Sequence, residues 1–329
     1  MKKILIICFT FIYLAADGQK PLPIIDMHVH ANKADFAGPP PLFYCIKRTY
    51  WTAGSPSELT DTSITHDPDC IKELTSPVTD DDVMNKTLAI MKRRNVIAVT
   101  SGRLTEKWSN ALPGRVIPSF YIRMDGKDPS VDSLRKIFGS GIYKVLGEIG
   151  AQYNGIAAND RLLEPFWALA EELNIPVGIH IGPGPYGAPY FTGPEYKASL
   201  HSPMQMEDVL KRHPDLRVYI MHAAWPMIDE LLALMWTYPQ VYVDISGIIV
   251  DLPRPAFYNY MRRITEVGFG NRILFGSDGM IWPEIMELAI KTIEEAPGLS
   301  SKEKRDILYN NAARFLKLSK EEIAKHHEK

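Results

Sequence analysis

Short runs of aliphatic and β-branched residues alternate along this chain with longer stretches in which apolar positions recur every three or four residues. The first pattern suits strands buried on both faces and the second suits helices packed on one side, so their alternation predicts parallel strands joined by crossover helices. Eight strands are expected: Ile24 to His30, Asn95 to Ser101, Val116 to Arg123, Tyr143 to Gly150, Pro176 to Gly182, Leu216 to Ala223, Val241 to Ser246 and Arg272 to Asp278. Eight is the number that closes a TIM (β/α)8 barrel. Helical periodicity fills the gaps at Asp81 to Arg94, Asp160 to Asn174, Pro203 to His213, Pro226 to Thr237, Pro255 to Val267 and Pro283 to Glu295, several opening on a first-turn proline. A closing helix from Ser301 to Leu316 starts with a capping-box pattern, Ser300 and Glu303, and the charged tail from Ser319 to Lys329 is expected to fray.

Two connections exceed plain turns. Ala31 to Asp80 follows the first strand as an insertion, and Pro183 to Ser202 follows the fifth. Both belong to the face where such barrels keep their chemistry, so they are expected to enclose a substrate, with Tyr44, Tyr50, Trp51, Tyr186, Tyr190 and Phe191 as wall material. A disordered insertion is the plainer alternative.

With 329 residues, 46% of them hydrophobic, the chain has material for a large core, and no second domain or internal repeat is visible. Residues 1–18 carry Lys2 and Lys3, an apolar stretch from Ile4 to Ala16 and small residues at Ala16-Asp17-Gly18. That pattern predicts a signal peptide cut near Gly18, a barrel spanning 19–329, and a secreted or periplasmic protein without stable membrane insertion, because the apolar stretch is shorter than the roughly 20 residues a span needs. Cys8 lies inside the apolar stretch, which argues against a lipid anchor. Cleavage leaves Cys45 and Cys70, either as one disulfide or as two free thiols. The net charge is −2, or −3 after loss of Lys2, Lys3 and Asp17, which gives no reason to expect nucleic acid as partner. A small-molecule substrate is expected, and a homodimer is left open.

The chemistry-bearing residues fall at one end of different strands: His28 and His30 on the first, Glu148 on the fourth, His180 on the fifth, His222 on the sixth and Asp278 on the eighth. In a strand, residues i and i+2 share a face about 6.5 to 7 Å apart, so His28 and His30 can reach one cation. Strand parity then places Gly178, Ile220, Leu274 and Gly276 on the inward face with His180, His222 and Asp278, and it points Asp26 and Lys144 inward lower down as a buried ion pair. Imidazole and carboxylate together suit zinc, iron or manganese, with zinc favoured and one or two ions accommodated. Asp278 can ligate and accept a proton from water, His222 can bind a second metal or hold an oxyanion, and Glu148 can bridge two ions or orient a histidine.

This layout resembles the amidohydrolase superfamily, in particular the amidohydrolase-related branch that includes aminocarboxymuconate semialdehyde decarboxylase. The resemblance runs from about Pro23 to Leu318 and includes a closing Asn-Asn-Ala-Ala-Arg-Phe-Leu stretch from Asn310. It implies His28, His30, His180 and Asp278 as ligands of a first metal and His222 as a catalytic or second-metal histidine. The Gly-Glu-Ile-Gly string around Glu148 departs from the one-metal decarboxylases and is similar to members that use a fourth-strand glutamate as a ligand.

The function expected is metal-dependent hydrolysis of an amide, ester or lactone-type bond by activated water. A one-metal non-oxidative decarboxylase is the alternative, and a non-catalytic exported binding protein is a third. His66, His201, His213, His326 and His327 are expected to be ordinary residues, His201 least clearly because its loop can cover the pocket. Arg48, Arg103, Arg123 and Arg254 are candidates to clamp a substrate carboxylate, and Trp225, Tyr186 and Trp282 to line the pocket.

Overall fold

The computed structural model describes residues 21–46, 55–56, 70, 72–190 and 193–328. The expected signal segment, Cys8, Arg48, Tyr50, Trp51, His66 and Phe191 lie outside the described residues. Among the described residues ten strands follow in chain order: β1 (Ile24–His30), β2 (Phe43–Cys45), β3 (Glu73–Thr75), β4 (Val96–Ser101), β5 (Val116–Ile122), β6 (Val145–Ile149), β7 (Val177–His180), β8 (Val218–Met221), β9 (Val241–Asp244) and β10 (Ile273–Leu274). Eight of them form one parallel sheet in the order β1-β4-β5-β6-β7-β8-β9-β10, with helices in the connections. The result is a nearly closed TIM barrel.

The eighth expected strand, Arg272 to Asp278, pairs with β9 only over Ile273 and Leu274. Beyond them the chain crosses to β1 through single bonds, Met27 N–H to the Phe275 carbonyl at 2.8 Å and Asp278 N–H to the His28 carbonyl at 2.9 Å. Asp26 reinforces this seam, its Oδ1 accepting from Ser277 N at 3.0 Å and from His28 N at 3.1 Å. The expected Asp26–Lys144 pair does not form. Lys144 is exposed, whereas Asp26 is fully buried and bonded to backbone.

Ile25, Met27, Ile97, Val99, Val145, Tyr219, Met221 and Leu274 fill the barrel, and Tyr309, Ala312 and Phe315 plug its lower end. A second, larger cluster occupies the layer between sheet and helices. The plug comes from the predicted closing helix. It has the expected capping box, with Ser300 N–H donating to Glu303 Oε2 at 2.8 Å, but it runs as Ser301–Arg305, a π-helical segment Asp306–Asn310, and Asn311–Phe315. The tail does not fray. Lys320–Glu328 is a helix, held where His326 Nδ1 meets the Tyr309 hydroxyl at 3.0 Å and its carbonyl accepts from Asn95 Nδ2.

The insertion after β1 contributes the antiparallel pair β2–β3, and Cys45 is joined to Cys70 by a disulfide. This hairpin sits at the mouth: Leu42 O accepts from Trp282 Nε1 at 3.0 Å, and Tyr44 stacks on Trp282 and bonds Asp251. Among the described residues, no helix is long and apolar enough to cross a membrane.

Candidate metal centre

Irregularities in the strands aim the polar side chains. Along β1, Asp26 pairs with Ala98 and Val29 with Thr100, so Met27 and His28 together face one residue of β4. This bulge resets the alternation. Ile25 and Met27 therefore enter the apolar interior, and His28 and His30 enter it too, one level higher. β6 repeats the device, with Leu146 paired to Val177 and Ile149 to Ile179, and Glu148 at the shift. Its neighbour Gly147 has φ 155°, and a Cβ there would lie 2.8 Å from the Gly178 carbonyl oxygen, so the strands can approach only with glycine in place.

Parity alone misplaces Ile220, which packs in the outer layer while Tyr219 and Met221 face inward. His222 still reaches the interior because His222, Ala223 and Ala224 all have positive φ, 59°, 48° and 53°, and turn the chain after the strand. Leu274 lies inside as expected. So does Gly276, where a Cβ would press on His28 and Ser246 at 3.1 and 3.0 Å.

At the top of the barrel His28 Nε2 and His30 Nε2 stand 3.1 Å apart. Glu148 Oε2 lies 3.5 and 3.4 Å from them, and Asp278 Oδ1 3.7 and 3.1 Å. Ligands on a shell of about 2.1 Å radius stand about 3.0 Å apart at right angles and about 3.4 Å apart in a tetrahedron. Each carboxylate oxygen stands from the two histidine nitrogens at the spacing of neighbours in one coordination sphere. On the other side of Glu148, Oε1 meets His180 Nδ1 at 2.7 Å, and His180 Nδ1 meets His222 Nε2 at 3.1 Å. Three overlapping sets, His28–His30–Glu148, His28–His222–Asp244 and Glu148–His180–His222, each lie within 4.8 Å and could hold a divalent ion. His180 Nε2 and Asp278 Oδ1 are buried without a hydrogen-bond partner. Such orphaned buried acceptors are what a cation would satisfy.

The structure therefore splits the expected ligands in two, with His28, His30, Glu148 and Asp278 in one group and His180 with His222 across Glu148. Burial would raise the Asp278 and Glu148 carboxyls; facing histidines, His28 and His30 for Asp278, His180 and His28 for Glu148, outweigh it and hold both below the ordinary range. His222 is pushed down to about 4 by burial and by His180. It is uncharged at neutral pH, and its Nδ1–H donates to the Ser246 carbonyl at 3.0 Å, leaving a lone pair on the inward Nε2. A ring so arranged suits holding a metal better than donating to an oxyanion.

Sequence reading missed Asp244 and Ser246 at the end of β9, and two phenols. Asp244 Oδ2 lies 3.1 Å from His28 Nδ1, and burial is outweighed by His28 in keeping this carboxyl below its ordinary range. The Tyr121 ring is 6.4 Å from His30 and the Tyr153 ring 4.7 Å from His180. Burial, then Glu148, lifts both hydroxyls, so they stay protonated donors. Arg123 lies over Tyr121 at 5.7 Å at the exposed mouth, where Arg103 is also exposed. Arg254 is no clamp, being tied to the Ile249 carbonyl and Thr292. Tyr190 is 65% exposed and Tyr186 38%, too open for an apolar wall, whereas Trp282 is buried and Trp225 half-buried. In the connection after β7, the Tyr196 hydroxyl accepts from Gly184 N at 2.6 Å and meets Gly182 O at 2.9 Å and His201 Nε2 at 2.8 Å. His213 is held between Glu171 and Glu164, at 2.8 and 3.0 Å.

The amidohydrolase family profile matches residues 25–318. This chain belongs to that family. Among curated proteins the amidohydrolase resembles "Protein fluG" of Emericella nidulans, 25% identical over 95 residues, which are 29% of this chain and only 11% of the relative. A solved structure of dihydroxybenzoic acid decarboxylase from Polaromonas sp. JS666, with bound manganese, is similar at TM-score 0.58 and 13% identity over 92% of this chain and 99% of that one. A Pseudomonas putida structure assigned as 2-pyrone-4,6-dicarboxylic acid hydrolase is similar at TM-score 0.53 and 13% identity, over 90% and 98%. At these identities the likeness carries the barrel and not the reaction. The family is one of enzymes, and this chain carries a buried cluster able to hold a divalent metal.

Proposed function

We propose that this chain is a metal-dependent hydrolase acting on an amide, ester or lactone-type bond of a small substrate. The observation that carries the reading is the approach of Glu148 Oε2 and of Asp278 Oδ1 to the paired His28 Nε2 and His30 Nε2, at 3.1 to 3.7 Å. These four side chains would hold the first ion, with zinc favoured by the mixed imidazole and carboxylate donors, and Glu148 Oε1, His180 and His222 offer a second position. A divalent ion supplies Lewis acidity there, activating water at neutral pH and polarising a carbonyl oxygen. Asp278 would ligate through Oδ1, and its second carboxylate oxygen would take the proton of attacking water and return it to the leaving group. The Tyr153 and Tyr121 hydroxyls provide donors for oxygen atoms of the substrate.

The chain is read as exported, with residues 1–18 removed and 19–329 forming one barrel with the 31–80 insertion. The Cys45–Cys70 disulfide supports an oxidising compartment. A one-metal decarboxylase is the second reading, since the similar solved structures include a decarboxylase as well as a hydrolase.

Elemental analysis of the purified protein, followed by a panel of lactones, amides and aromatic acids in 18O-labelled water, tests the proposal. Expected are bound metal, loss of turnover on chelation with recovery on zinc or manganese, label in the product, and a kcat reduced about 10²- to 10⁴-fold in Asp278→Asn. Carbon dioxide release without label would select the decarboxylase. Protein that binds no divalent metal would overturn both.

A further inference from the structure

The floor of the centre holds a buried network that determines which nitrogen of each histidine carries hydrogen. Asp244 Oδ1 accepts from His222 N at 3.0 Å, from Ser246 N at 3.0 Å and from the Ser246 hydroxyl at 2.7 Å. With its one hydrogen turned to Asp244, Ser246 Oγ can only accept from its other neighbours, His28 Nδ1 at 2.8 Å and His222 Nδ1 at 3.2 Å. Asp244 Oδ2, at 3.1 Å from His28 Nδ1, is likewise an acceptor, and so is the Ser246 carbonyl facing His222 Nδ1. Every atom facing the two Nδ1 positions therefore accepts. Both rings must carry hydrogen on Nδ1, which turns His28 Nε2 toward His30, Glu148 and Asp278 and His222 Nε2 toward His180.

We infer that Asp244, with Ser246, is the positioning pair that pins His28 and His222 in the Nδ1–H form and so presents both Nε2 atoms to metal. The inference rests on the metal-dependent reading above. Asp244 has 0% and Ser246 0% exposure, so no water can substitute for either. Asp244→Asn is the sharpest probe, because it keeps size and one acceptor oxygen while placing an NH2 donor in the network. A carboxamide nitrogen beside His28 Nδ1 asks that nitrogen to accept, which moves the ring hydrogen to Nε2, where metal belongs. Ser246→Ala removes the shared acceptor without introducing a donor and should act more weakly.

The experiment is zinc affinity by competition with a chelator, on metal-stripped wild type, Asp244→Asn, Ser246→Ala and Asn311→Ala. Asn311 donates to the Gly270 and Ile273 carbonyls at the far end of the barrel, so its loss destabilises without touching the centre. Expected is a 10- to 100-fold weaker affinity in Asp244→Asn, the range for a lost partner of a ligating histidine, a smaller loss in Ser246→Ala, and Asn311→Ala within twofold of wild type despite a lower melting temperature. In zinc-loaded protein with 15N-labelled histidine, the His28 Nδ1–H signal, identified by its absence in His28→Asn, should shift in Asp244→Asn. Equal affinity in wild type and Asp244→Asn, or a loss matched by Asn311→Ala, would overturn the inference and leave the metal reading intact. Absence of zinc binding in wild type would overturn the metal reading itself.

Discussion

At the scale of single residues, the centre combines side chains of two kinds of legibility. His28, His30, Glu148, His180, His222 and Asp278 stand out in the sequence because each is a polar residue closing an apolar run. Asp244 closes such a run as well, Val241-Tyr242-Val243-Asp244, but the sequence does not show that it faces His28, which only the fold brings to it. Tyr153 lies in a short 3₁₀ turn after β6, Ala151–Asn154, with no periodicity to aim it. Its hydroxyl is kept protonated by burial and by Glu148, and its ring packs against His180 and Tyr196 at 4.7 and 5.6 Å. A donor that meets the substrate but not the metal should affect turnover alone. Tyr153→Phe is expected to lower kcat/KM about 10- to 100-fold, the worth of one hydrogen bond to a charged oxygen, with metal content unchanged. Steady-state kinetics beside elemental analysis checks this, and parallel loss of metal would reassign Tyr153 to the architecture.

At the scale of elements, all eight barrel strands were readable from periodicity, because burial on both faces leaves a run of apolar residues that nothing else explains; most of the crossover helices were readable too, but Thr105–Ala111 and Val131–Gly139, on either side of β5, were not. Bulges were not readable. The alternation rule assumes one residue opposite one, and the shifts at Asp26–Val29 and Leu146–Ile149 depend on the neighbouring strand rather than on local residues. The same limit hid the π-helical turn in the closing helix, and the tail helix forms through Tyr309 and Asn95, both distant in sequence. His201 shows what such contacts add. Burial first, then His180, holds its pKa below the ordinary 6.5 while its Nε2 meets Tyr196, which holds Gly184. A histidine depressed in the folded state stabilises above its unfolded pKa, and that contribution is lost as pH falls below about 6.5. The connection after β7 should therefore loosen in acid. Protection of the Gly184 amide against hydrogen exchange is expected to fall between pH 7 and pH 5 in the wild type and to stay level in His201→Gln. Equal slopes in the two proteins would exclude His201 as the origin.

At the scale of the whole molecule, the barrel is weakest where β10 meets β1. Elsewhere neighbouring strands are joined by ladders, whereas this seam rests on the Met27 to Phe275 and Asp278 to His28 backbone bonds and on Asp26. The proposed ligands straddle it, with His28 and His30 on β1 and Asp278 just beyond β10. A bound ion would thus tie the two sides of the seam, and its binding energy would appear as stability of closure. At a free metal concentration a hundredfold above Kd, binding to the folded chain alone contributes about 2.7 kcal/mol, or about 4 °C in melting temperature for a chain of this size. Distribution of that gain separates two pictures. If metal only opposes global unfolding, chelation should speed exchange equally at every amide protected by the global transition, including Val177, bonded to the Arg217 carbonyl at the opposite side of the barrel. If the seam opens by itself, Met27 and Asp278 should accelerate first and by up to about 100-fold, with Val177 nearly unmoved. We expect the second result, because two isolated bonds resist opening less than a ladder, and equal acceleration at all three amides would show that the seam is no separate unit.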